Sequence, residues 1–216
     1  MKEIIENIEH IVKERLQKEG TGHDWHHIER VRRTAVNLAK KYACSQSVVE
    51  LSALLHDVID EKLSDEIRMS TEEVAALLEK EGLDQSSISD ILAVITSISF
   101  KGGGREKVSS IEAQIVQDAD RLDAMGAIGI ARVFSYGGSK GSLIHDPDMP
   151  VRSSMTEKEY RSDRSTSINH FYEKLLKLKD LMNTEEGRVL ALQRHQFMVA
   201  YLKQFYLEWE GPGRNS

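Results

Sequence analysis

Four residues in this chain sit awkwardly in the segments that carry them: His27, the doublet His56-Asp57, and Asp120. Each lies in a stretch whose other residues read as the apolar stripe of a helix. His56 and Asp57 follow directly on Ala53, Leu54 and Leu55, and an ionised carboxylate in such surroundings is costly to bury unless it is paired or bound to a cation. A lone histidine is more often a hydrogen-bonded structural residue, and His-Asp pairs recur at His23-Asp24 and His145-Asp146, so the doublet alone is a weak signal. The combination is stronger, because one divalent ion would satisfy several of these groups at once. Two imidazoles and two carboxylates make a mixed nitrogen and oxygen set suited to Mn, Mg, Fe, Ni or Zn. Four protein ligands in an octahedron leave two positions for water and substrate, as catalysis requires. Alternatives of the same type stand nearby: Asp118 and Asp123 for Asp120, His23 and His26 for His27.

The elements that must position these residues read as helices throughout, so the expected fold class is all-α. Ile4, Ile5, Ile8, Ile11, Val12 and Leu16 recur at helical steps before Gly20 and Gly22, which predicts an amphipathic helix stopped by glycine. A second helix begins near His23 or Asp24 and runs to Tyr42, with His27 near its start. The run VVELSALLHDVID from Val48 to Asp60 reads as a buried helix carrying the doublet. Thr71 to Glu81 and Ser87 to Ile98 predict two scaffold helices, and Lys101 to Arg105 (KGGGR) a flexible loop. Ser110 to Phe134 reads as one long helix rich in Ala and Gly, which favours close packing at the centre of the fold. Gly137 to Thr156, with two of the three prolines, reads as a long loop. Ser167 to Asn183 and Glu185 to Glu210 close the chain as two more helices, with a frayed GPGRNS tail.

Composition bounds the rest. At 216 residues the chain is long enough for a substantial core, and the expectation is one domain over 1–216, with a metal-binding core at about 20–135 and C-terminal helices at about 157–210 packing on it. A net charge of −6 gives no general attraction to a nucleic acid polymer or an anionic membrane. The single cysteine, Cys44, has no internal disulfide partner and reads as an inert thiol. The charged N-terminus does not resemble a secretory signal, and no stretch is apolar enough for a membrane span, so the expected location is cytoplasmic.

Four segments carry a resemblance: GHDWHHIERV (22–31), LLHDVIDEK (54–62), QDADRLDAMGAIGIARVF (117–134) and SINHFYEKLLKLKDLMNTEEGR (167–188). Together they resemble the HD-domain phosphohydrolase superfamily, whose motif is H…HD…D, and in particular its small bacterial hydrolases, which include nucleoside triphosphate pyrophosphohydrolases. Carried over by position, the resemblance implies His27, His56, Asp57 and Asp120 as metal ligands, with manganese the first choice of metal. It implies a nucleotide substrate, a (deoxy)nucleoside triphosphate cleaved by metal-activated water to the monophosphate and pyrophosphate. A nucleotide phosphomonoesterase, a phosphodiesterase, or a catalytically silent nucleotide-binding module would use the same constellation. In the related alarmone hydrolases an acidic pair after the doublet is implicated in catalysis. Here Asp60 and Glu61 follow in the order Asp-Glu, either to orient or deprotonate the attacking water or to form a solvated helix end. Phosphate needs cations beyond the metal, and the candidates are Lys62, Lys101, Arg105, Arg121, Arg152, His170 and Lys174. The last two are read as neighbours on one helical face. The glycine loop lacks the GxxxxGK[ST] pattern of nucleotide-driven motors.

Overall fold

The computed structural model describes residues 1–17, 24–61, 63–98, 108–152 and 165–211. Its elements are α1 (Lys2–Leu16), α2 (Trp25–Ala39), α3 (Gln46–Leu55), α4 (Thr71–Lys80), α5 (Gln85–Ile98), α6 (Ile111–Asp123), α7 (Gly126–Ser139), α8 (Ser167–Glu173), a 3₁₀ helix (Leu175–Leu181) and α9 (Glu185–Glu210). The protein is all-α, with no strand among the described residues. None of the described helices is long and apolar enough to cross a membrane. The chain divides into two compact units, Met1–Asp120 and Arg121–Ser216.

In the first unit α3 is the packed centre, lying against α1, α2 and α5. Its sequence explains this: Val48, Val49, Leu51, Ala53, Leu54 and Leu55 are all buried, and each large aliphatic side chain contributes about 1.5–3 kcal/mol when removed from water. Arg32 of α2 ties the surrounding helices together, donating to Glu9 of α1 at 2.7 Å and to Glu50 of α3 at 2.6 and 2.8 Å. The helix starts are set by side-chain caps. Asp24 accepts from the His27 N–H at 3.0 Å, Ser45 from Val48 at 3.4 Å, and Ser70 and Glu73 form a reciprocal capping box.

Three expected elements are divided in the structure. The helix carrying the doublet ends at Leu55, with His56 as its C-cap, and Val58 N–H→Leu55 O (3.3 Å) and Asp60 N–H→Asp57 O (3.0 Å) continue it as tight three-residue turns. The physical cause is the His56 ring itself: Nδ1 takes the Ala53 carbonyl at 2.8 Å, competing with the Asp57 N–H that would extend the helix. The expected helix 110–134 is two, α6 and α7. Met125 leaves helical geometry at φ −119°, ψ 164°, and Gly126 follows at φ +70°, a conformation that a side chain would strain. The expected helix 167–183 breaks at Lys174 (φ −136°, ψ −60°) into α8 and the 3₁₀ helix. Lys174 is the C-cap of α8, with its N–H on the His170 carbonyl at 3.0 Å, so the two residues stand one helical turn apart at the point where the helix ends.

The remaining helices match expectation to within a few residues, although α7 runs on to Ser139, into the expected loop. In the second unit α9 packs on α7 and on the 3₁₀ helix, and α8 packs on the 3₁₀ helix and α7. Cys44 is half-buried in a bend. Burial, then the charge of Glu112, pushes its thiol pKa up, as expected of an inert thiol. The glycine loop and the tail beyond Gly211 lie outside the described residues.

Candidate metal centre

His27, His56 and Asp57 converge from two elements onto one point. Capping by Asp24 puts His27 in the first turn of α2, where it is 1% exposed. The turn after α3 delivers His56 and Asp57, at 4% and 7%. Asp57 divides its oxygens between the imidazoles, with Oδ2 3.2 Å from His27 Nε2 and Oδ1 3.4 Å from His56 Nε2. Asp120, on α6, completes the group: its Oδ1 is 3.5 Å from His27 Nε2 and 4.0 Å from His56 Nε2. The two rings stand edge to face with centroids 5.4 Å apart. Three of the four side chains are buried, while that of Asp120 is 44% exposed, so this flank of the cluster is open to solvent.

The tautomer of His56 gives this arrangement its meaning. A carbonyl oxygen can only accept, so the contact of Nδ1 with Ala53 O fixes the proton on Nδ1. Nε2 is left buried, without a hydrogen-bond partner, and aimed at two carboxylates. A neutral imidazole lone pair facing carboxylate oxygens is repulsive, and a cation between them would turn every one of these contacts favourable. The donor set of two imidazole nitrogens and carboxylate oxygens therefore fits a divalent metal, as does the grouping of His27, His56 and Asp57 within 4.8 Å of one another.

The other candidates fall in different places. His26 is exposed, and His23 lies outside the described residues. Asp123 is committed elsewhere, with its Oδ2 accepting from Arg132 at 2.6 Å. Asp118 is fully buried and points about 200° around the helix from Asp120. Asp60 is buried at the end of the turn that holds the doublet, and Glu61 is exposed, so the acidic pair is split between two environments.

Of the expected phosphate-binding cations, Lys62, Lys101 and Arg105 lie outside the described residues. Arg121 donates to the Leu181 carbonyl. Arg152 is clamped on Glu173 through Nε at 2.9 Å and Nη2 at 2.7 Å, a bidentate pair that Ser165 reinforces at 2.9 Å. His170 is not a cation at neutral pH: burial first, then the charges of Lys174 and Arg152 against that of Glu173, push its pKa down to about 4. It is left as a neutral hydrogen-bonding group. Lys174 is half-buried beside it in sequence. Arg132 and Arg194, which hold the far end of α6, had no signal in the sequence, because an arginine in a helix reads as a solvated surface residue.

The helical fold and the H…HD…D cluster define a class, and the chain belongs to the HD-domain superfamily of hydrolases, with residues 24–125 matching the HD domain family. HD domains bind divalent metals, and the chain is accordingly a hydrolase of the metal-dependent type. Over 217 residues it is 40% identical to YpgQ of Bacillus subtilis (strain 168), spanning 99% of this chain and 97% of that protein. The crystal structure of Bacillus subtilis YpgQ in complex with ADP is similar at 39% identity with a TM-score of 0.79, covering 97% of this chain and 98% of the other. An HD-superfamily hydrolase from Bacillus thuringiensis is similar at 41% identity with a TM-score of 0.77 and the same coverage.

Proposed function

We propose that this chain is a divalent-metal-dependent phosphohydrolase that converts (deoxy)nucleoside triphosphates to the monophosphate and pyrophosphate. The observation that carries the metal half of this reading is the buried, unpartnered His56 Nε2 facing Asp57 and Asp120. The nucleotide half is supported by the relative YpgQ, crystallised with ADP, and by the resemblance of four segments to pyrophosphohydrolases. In this reading His27, His56, Asp57 and Asp120 hold the ion, with manganese our first choice. When bound, the ion would lower the pKa of a water and neutralise phosphoryl charge.

The protein's own groups divide the remaining work. His56 is locked by the Ala53 carbonyl, so its ring cannot rotate away from the centre. Asp57 orients both imidazoles, and the exposed flank at Asp120 is the side open to a charged substrate. Asp60 has its backbone N–H on the Asp57 carbonyl at 3.0 Å, which couples it to the ligand turn. We assign its buried carboxylate, rather than that of exposed Glu61, to receiving the proton of the attacking water. Lys174 is the cation we assign to substrate phosphate, with His170 as a neutral donor.

The test is release of pyrophosphate and orthophosphate from a panel of ribo- and deoxyribonucleoside triphosphates, with Mn, Mg, Ni, Fe or Zn added to metal-stripped protein. Metal-dependent pyrophosphate with stoichiometric monophosphate is the expected result. Orthophosphate alone would reassign the chain as a phosphomonoesterase on another substrate. No turnover with any metal would leave a silent nucleotide-binding module.

A further inference from the structure

The helix that carries Asp120 does not end on its own hydrogen bonds. The last carbonyls of any α-helix lack intrahelical partners, and on α6 the Leu122 carbonyl, two residues after Asp120, accepts from Arg194 Nη1. The next residue, Asp123, is 4% exposed and is gripped by Arg132 at 2.6 Å. Arg194 is lowered from its ordinary pKa by burial, with the charge of Asp123 opposing that shift, so Asp123 feels two guanidinium groups. The chain then turns through Gly126, whose place against the Arg194 stem is tight: a Cβ there would lie 3.1 Å from Arg194 Cγ and 3.2 Å from its Cβ. The corner after α6 is thus built around one arginine. It fills the space under Gly126, satisfies the Leu122 carbonyl and helps to neutralise Asp123.

This construction matters because Asp120 is the least enclosed member of the metal cluster, at 44% side-chain exposure. The other three are fixed by burial and by the Ala53 carbonyl, whereas the position of Asp120 depends on where the last turn of α6 stops. We infer that Arg194 is a positioning residue for Asp120, holding the C-terminal turn of α6 so that the Asp120 carboxylate stays within reach of the ion. The inference rests on the metal-centre reading above.

The experiment measures Mn²⁺ affinity of the metal-stripped full-length chain by the free-ion EPR signal, at a temperature where every variant is folded by circular dichroism. Arg194→Gln should weaken binding by about ten-fold, the lower end of what loss of an outer-sphere partner costs. In an Asp120→Ala background Arg194→Gln should cost nothing further, because the group it positions is gone. Wild-type affinity in folded Arg194→Gln, or an equal ten-fold loss in both backgrounds, overturns the inference while leaving the metal centre intact. If wild-type protein takes up no ion, both readings fall together. Should Arg194→Gln fail to fold, Arg132→Gln, which releases the other grip on Asp123, decides by the same criterion.

Discussion

Replacing Asp57 by asparagine should affect the ion-bound protein far more than the ion-free protein. The side chain is 10% exposed, and its two oxygens face two imidazole nitrogens at 3.2 and 3.4 Å. With a divalent ion at a hundredfold excess over its dissociation constant, the wild-type gains about 2.7 kcal/mol. For a chain of this size each kcal/mol moves Tm by about 2–4 °C, so the ion should raise Tm by about 5–10 °C. Asp57→Asn keeps the shape of the side chain but removes a charge from the cluster, and that rise should vanish. In chelator-treated protein the same substitution should change Tm far less, because asparagine keeps the shape of the side chain and a polar atom toward each facing imidazole. Differential scanning calorimetry of both proteins, with chelator and with Mn²⁺, reads all four values. A metal-induced rise preserved in Asp57→Asn, or a loss of several degrees in its ion-free form, would refute the reasoning.

Lys174→Ala should raise KM or lower kcat while leaving Mn²⁺ affinity at the wild-type value, and unchanged steady-state kinetics would make Lys174 a surface residue. Stability should decline as the pH falls, in two stages. His170 titrates at about 4 folded against 6.5 unfolded, so the unfolded chain binds the proton first, and about 2–3 kcal/mol is lost as the pH drops from about 6.5 to 4. Glu173, whose depressed pKa reflects Arg152 and Ser165 prevailing over burial, adds a further loss only below the ordinary glutamate pKa of 4.5. Urea midpoints from pH 8 to 4 should fall in the wild-type and stay flatter in His170→Gln, and parallel curves would remove His170 from the account.

The grouping of these four residues was legible because its chemistry conflicts with its surroundings: charged and imidazole groups interrupt apolar runs at His27, His56-Asp57 and Asp120, and no periodicity accounts for them. The helices were legible from their stripes. The break points were not. A one-dimensional apolar pattern continues through Leu55, Ala124 and Lys174, and the chain departs from it at side-chain contacts that no periodicity encodes: the His56 ring donating to the Ala53 carbonyl, the Arg194 stem packed at Gly126, and the bonds that Arg152 and Ser165 make to Glu173 at the end of α8. The same holds for the cations. Arg152 and Arg121 look like phosphate ligands by charge alone, yet each has bonding capacity committed within the fold.

The central claim is that His27, His56, Asp57 and Asp120 together hold one divalent ion. Crystals of the full chain grown with Mn²⁺ and measured for anomalous scattering test it most directly. The account predicts a single strong peak at coordination distance, about 2.0–2.4 Å, from His27 Nε2, His56 Nε2 and an oxygen of each aspartate. A peak that excludes Asp120, or one coordinated by Asp118 or His26 instead, would contradict it.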